Sequence, residues 1–229
     1  MEAQFSSSGH PEYSATYYQG PQGLGTAWLH RSLKRYWVDS APKTILEVGF
    51  GSGEHLHYHR IDGPAILYGL DPEPSHDPVA VPAGVDLRLL RGVAEELPLP
   101  DHSIDRVVMT CVLAHVDSPV RACEELLRVI APRGELAIAL PTDPGAVNRL
   151  IKAMVTYRKL RSEGVVDPRY FYAIQHRNSV NNLLAIVSHV VRSQQKQGRS
   201  LVWKTHYRPF WVASWNLNPL CIIHIRDAG

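Results

Sequence analysis

The chain has 229 residues, 45% hydrophobic and 20% charged; this fits one sizeable domain with its own core and excludes a disordered chain. Lys and Arg total 24 against 22 Asp and Glu, a formal +2, so charge alone makes no case for a nucleic-acid partner. Three widely spaced cysteines (Cys111, Cys123 and Cys221) exclude a disulfide framework or zinc ribbon and point to a reducing compartment. The first eight residues hold no apolar run of the signal-peptide kind, and no window reaches the ~18 apolar residues of a membrane span. The expectation is a cytoplasmic protein.

In chain order, residues 1–23 are rich in Ser, Gly and Tyr and read as an arm or lid. A short helix near Tyr13–Gln19 would carry Tyr18 to the domain surface or to a bound substrate. Leu24, Trp28, Leu33 and Trp37 predict a helix that Pro42 ends. A buried strand follows at Thr44–Val48, then a glycine loop, Gly49-Phe50-Gly51-Ser52-Gly53, and a helical Glu54–Arg60. Ala65–Leu70, Val85–Leu90, Ile104–Met109 and Glu135–Leu140 read as further strands, and Pro119–Ile130 as an amphipathic helix that Pro132-Arg133-Gly134 turns out of. Alternation of strands and helices predicts right-handed βαβ units and a mostly parallel sheet covered on both faces. Asn148–Arg161 and Ser179–Arg192 look helical, and Gly198–Tyr207 and Leu220–Arg226 suggest an antiparallel hairpin at one sheet edge. Residues 24–229 then form one α/β domain, with 143–200 inserted before the last two strands.

Glycines between a buried strand and a helix start permit positive φ and close approach of backbone to a ligand, beside unpaired helix N–H groups. Asp71 closes the next strand about 20 residues later, where a carboxylate can accept hydrogen bonds from both hydroxyls of a ribose. A nucleoside-containing cofactor at the C-terminal edge of the sheet follows. Its third glycine comes one residue too early for the dinucleotide fingerprint, with Glu54 in the sixth position.

Several segments, in order and spacing over about residues 44–141, resemble the class I S-adenosylmethionine-dependent methyltransferases, particularly the "type 11" small-molecule branch. They are Ile45–Gly53, Gly69-Leu70-Asp71-Pro72, Gly92–Asp101 with Ser103-Ile104-Asp105, His115–Pro119, and Glu125–Val129 leading to Pro132–Leu136. The resemblance implies a Rossmann-like seven-stranded sheet with an antiparallel last strand, and S-adenosylmethionine as cofactor. Glu47, Gly49, Phe50 and Gly51 would line the cofactor, the glycines beside its methionine and ribose. Asp71 would take the ribose hydroxyls, Pro72, Ala94 and Glu95 the adenine, and Cys111 the methionine end. Two departures stand out. Val93 replaces a common adenine-binding acid, so that contact is absent or taken over by backbone or Glu95. Pro74, Pro78 and Pro82 forbid the family's helix over Glu73–Gly84 and predict an irregular loop.

Methyl transfer to a hydroxyl or amine needs alignment and removal of a proton, for which histidine is suited. His115, just past the fourth strand, reads as a general base or as a structural loop histidine, with Asp117 capping the next helix. His176, Asn178 and His206 are candidate acceptor contacts, and residues 143–200 the acceptor-binding region. His55 and His59 have metal-ligand spacing, but no third ligand lies in their segment; they read as a solvated or partly packed face, with no metal expected. The run Lys152–Arg161 reads as a wet helix face. The expected activity is methyl transfer to oxygen or nitrogen of a small molecule by a monomer or homodimer, without nucleic acid. Alternatives are a phospholipid or quinone methyltransferase working at a membrane surface and a non-catalytic cofactor-binding relative.

Overall fold

A computed structural model describes residues 20–38, 41–74, 79–162, 164–210 and 212–229. The short helix expected at 13–19, with Tyr18, lies outside them. Apolar alternation produces seven strands: β1 (Thr44–Val48), β2 (Ala65–Asp71), β3 (Val85–Arg91), β4 (Ile104–Thr110), β5 (Ile130–Pro141), β6 (Leu201–Arg208) and β7 (Leu220–Asp227). They form one sheet in the order β3-β2-β1-β4-β5-β7-β6. β1 through β5 pair in parallel, and β7 runs antiparallel to both β5 and β6. The order reverses between β1 and β4, and at such a switch point the loops leave in opposite directions and open a crevice beyond the strand C-termini.

Successive side chains point to opposite faces of the sheet. Leu136, Ile138, Leu140, Ile223 and Ile225 pack against α2 (Pro119–Val129) and α6 (Val180–Lys196), through Leu126, Leu127, Val187 and Val191. Ala137, Ala139 and Ile222 face the other way, onto Leu33 at the end of α1 (Gly20–Leu33) and onto Trp37. Beside them, Ile45 and Leu67 bury Phe50 and Leu56.

Three local readings change. Pro132-Arg133-Gly134 lies within β5, where pairing with β4 shifts register between Ile104 and Arg106. A Cβ on Gly134 would lie 2.8 Å from the Ala131 carbonyl and 3.0 Å from that of Asp105, so glycine lets the bulge close and the strand continue. Glu54–Tyr58 is a 3₁₀ helix entered through left-handed Gly53. The helix expected over 148–161 divides into α3 (Ala146–Ile151), a π turn (Lys152–Thr156) and α4 (Tyr157–Ser162). A helix the periodicity missed, α5 (Pro168–Gln175), begins at Asp167, whose side chain accepts from the N–H groups of Arg169 and Tyr170, with Pro168 in the first turn. The expected irregular course after β2 holds for its described residues, none of which is helical.

Candidate active site

The glycine loop leaves β1 with Gly49, Gly51 and Gly53 at φ of +77°, +55° and +80°. The Gly49 and Phe50 N–H groups donate to the Leu70 carbonyl (2.8 and 3.1 Å), tying the loop to the end of β2. There the Asp71 carboxylate turns toward it: Oδ2 accepts from the Gly51 N–H (3.0 Å) and Oδ1 from the Glu73 N–H (2.9 Å). A carboxylate has about four lone-pair sites, so two remain for a ligand. A Cβ at Gly51 would meet nothing within 4 Å, whereas one at Gly49 would collide with Val112. Open space thus lies along one glycine and a packed wall behind the other.

Phe50 is corrected from a cofactor contact to a core residue. It is 2% exposed, and its ring fills the hollow over Gly69, where a Cβ would lie 2.6 Å away. Glu47 is likewise turned from the crevice. Its side chain shares the face of Ile45, and its carboxylate meets His55 and His59. These two histidines are buried, not solvated, and the missing third group comes from β1 rather than from their own segment.

Pro72 is exposed beside Asp71, and Ala94 is buried. Glu95 Oε1 accepts from the N–H groups of Asp117 and Ser118 (2.9 and 3.1 Å), so it steadies the start of α2; Asp117 pairs with Arg177 instead of capping that helix. Cys111 sits in the left-handed region (φ +61°) and bonds back to Ala139. Burial, with the negative charge of Asp143, pushes its thiol up to about 12, which removes it as a nucleophile near neutral pH.

A second cluster lies past β4 and β5. His115 Nδ1 is 2.8 Å from the Gln175 carbonyl. That oxygen only accepts, so Nδ1 carries the proton of this bond. The His176 ring meets His115 edge-on (centroids 4.4 Å) and stacks on Tyr172 (3.9 Å). The Tyr172 hydroxyl donates to Asp143 Oδ2 (2.7 Å), Lys152 pairs with Asp143, and the Lys152 ammonium lies 4.1 Å from the Tyr172 ring centre. Burial, then the charges of His115 and Lys152, hold His176 down at about 3, so it is a neutral imidazole. Lys152 is therefore not part of a wet face. Asp143 escaped the sequence reading, although it follows β5 by two residues, at the edge where ligands bind in this sheet type.

Asn178 straps this cluster: its side chain donates to the Val116 carbonyl and its N–H to that of Ala114. His206 does not join it. On β6 it pairs with Ile222 and stacks on Tyr36 (4.2 Å), on the α1 face. A separate open groove of about 510 Å³ runs between Arg149, Leu150, Ala153, Tyr157 and Arg169, and none of the predicted site residues lines it.

Residues 46–138 match the family model described as a methyltransferase domain. Over this stretch, about two fifths of the chain, the sequence is similar to that family. An uncharacterized methyltransferase of Mycobacterium tuberculosis is 33% identical over 105 residues, covering 46% of this chain and 42% of that protein. A tRNA U34 carboxymethyltransferase of Aeromonas salmonicida is 32% identical over 130 residues, covering 53% of this chain and 39% of that one. The chain thus spans about two fifths of the length of the curated relatives it matches. Among solved structures, a plantazolicin methyltransferase in complex with a desmethyl analogue and SAH shares the fold at TM-score 0.65 and 11% identity, covering 96% of this chain and 92% of that one. No helix among the described residues is long and apolar enough to cross a membrane.

Proposed function

We propose that the chain transfers a methyl group from S-adenosylmethionine to oxygen or nitrogen of a small molecule, with residues 143–200 contributing the acceptor side. The carrying observation is the Asp71 carboxylate held on the Gly51 N–H beside a glycine whose missing Cβ leaves open space. The residues fit the cofactor: Gly49 and Gly51 offer backbone without side chain, and Asp71 keeps lone pairs for ribose hydroxyls. S-adenosylmethionine, when bound, supplies a methyl group already attached to its sulfonium leaving group.

The protein's part is then alignment and proton removal. Well-oriented reactants can gain roughly 7–11 kcal/mol over a bimolecular encounter. His115, its Nδ1–H fixed by Gln175, presents the basic Nε2 tautomer and takes the acceptor proton. Neutral His176 and the Asp143–Lys152–Tyr172 group hold that imidazole and shape the acceptor side. Calorimetry with S-adenosylmethionine, S-adenosylhomocysteine and NAD tests the reading: the two sulfur ligands bind and Asp71→Ala weakens them at least tenfold. Tight NAD binding with neither sulfur ligand overturns it. His115→Gln lowers kcat at least tenfold with cofactor affinity retained; a smaller loss removes the base role.

A second reading has a tRNA acceptor, favoured by the likeness to tRNA U34 carboxymethyltransferases. Incubating the protein and labelled methyl donor with a metabolite extract and, separately, with bulk tRNA distinguishes the two.

A further inference from the structure

We propose that Glu47, His55 and His59 form a binding site for one divalent transition-metal ion of the zinc class, beneath the glycine loop. Glu47 enters from β1, His55 from the 3₁₀ helix and His59 from the residue that ends it. All three are buried, with Glu47 at 3% and His55 at 2% exposure, and their donor atoms lie within 4.8 Å of one another. His55 Nδ1 is 3.2 Å from Glu47 Oε1, and His59 Nε2 is 3.4 Å from Glu47 Oε2. Ligands on a tetrahedral ion with bonds of ~2.1 Å stand about 3.4 Å apart along each edge.

Orientation favours an ion over a shared proton. His55 Nδ1 and Glu47 Oε1 are close but not aligned as a hydrogen bond, and neither ring nitrogen of His55 has a hydrogen-bond partner among the described residues. His59 Nε2 and Glu47 Oε2 do meet as a hydrogen bond, but a buried imidazole without an aligned partner, as at His55, is costly; a cation at the common focus of the three satisfies them together. Two imidazoles and a carboxylate suit zinc-like ions rather than the all-oxygen shells of calcium or magnesium. His30, also buried, lies against His55 (centroids 4.5 Å) and adds an imidazole to the same pocket. An ion here would pin the segment after the glycine loop to the strand before it.

The experiment uses the tag-free, chelator-stripped chain, titrated with Co²⁺ and Zn²⁺ alone. Expected are uptake of one equivalent of Co²⁺ with a visible ligand-field band, its displacement by Zn²⁺, and a raised Tm. Glu47→Gln and His59→Gln bind at least tenfold more weakly, while His57→Gln, an exposed neighbour, binds like the parent. Absence of stoichiometric uptake by the parent chain, with no change in Tm, overturns the site and leaves a Glu–His proton-sharing cluster. So does equal binding by folded His59→Gln and His57→Gln proteins. Circular dichroism checks folding, and if the ligand variants do not fold the parent titration decides alone. The readout is the metal itself, so it stands or falls separately from methyl transfer.

Discussion

Gly49 and Gly51 share a backbone region but are confined by different neighbours. An L-residue in the left-handed region costs about 1–2 kcal/mol, and at Gly49 the added methyl also collides with Val112. Gly49→Ala is therefore expected to lower stability by at least about 2 kcal/mol, strain and overpacking together, and Val112→Ala should return part of it in urea denaturation. Gly51→Ala meets no atom within 4 Å, so it should cost only about 1 kcal/mol while its methyl obstructs the proposed cofactor, a loss of affinity that calorimetry reads. Equal behaviour of the two variants would remove the distinction between wall and opening.

Among the elements, α2 is bound to the loop before β4 by one arginine. Arg128 donates to the carbonyls of Leu97 and Leu99, to Asp101 and, through two nitrogens, to Glu125, whose Oε2 also accepts from the Leu97 N–H. The hydrogen bonds from Arg128, outweighing burial, hold the Glu125 carboxyl below its usual range. Two segments that carry the family resemblance, Gly92–Asp101 and Glu125–Val129, are thus the two halves of one clamp. Lysine keeps the charge but not the planar fork. Arg128→Lys is expected to cost about 1–3 kcal/mol, with faster amide exchange at residues 97–101 than elsewhere; uniform exchange would mean that the clamp does not order the loop.

Across the whole molecule, stability should depend on pH through groups buried in one charge state. His176 binds its proton only near pH 3 in the fold, against about 6.5 unfolded. The unfolded chain takes up the proton first, so this contribution is complete above pH 6.5 and is lost as pH falls toward 3. Glu135 adds a later loss. Burial would raise it, but the bonds from His224 and the Val38 N–H and the adjacent Arg106 hold it below its usual value, so its contribution is present above the unfolded carboxylate range and disappears under acid. Urea midpoints should decline from about pH 6.5 downward, and His176→Gln should flatten the first part of that decline. A midpoint constant from pH 7 to 5 in the parent protein would contradict the buried neutral imidazole.

Sheet and glycine loop were legible in the sequence because both rest on local signals: apolar runs of strand length, glycines where φ turns positive, and an acid one strand later. Local spacing also marked His55 and His59 as a pair and His115 as an edge residue. Only the tertiary structure decided what joins them. Glu47 comes beside His55 and His59 because strand alternation turns it to the α1 face, and Asp143, Lys152, Tyr172 and His176 meet because β5, the π turn and α5 converge. A one-dimensional pattern carries periodicity and turn chemistry; it carries no distance between residues separated by tens of positions. Those distances exist only after apolar burial has packed the helices on the sheet.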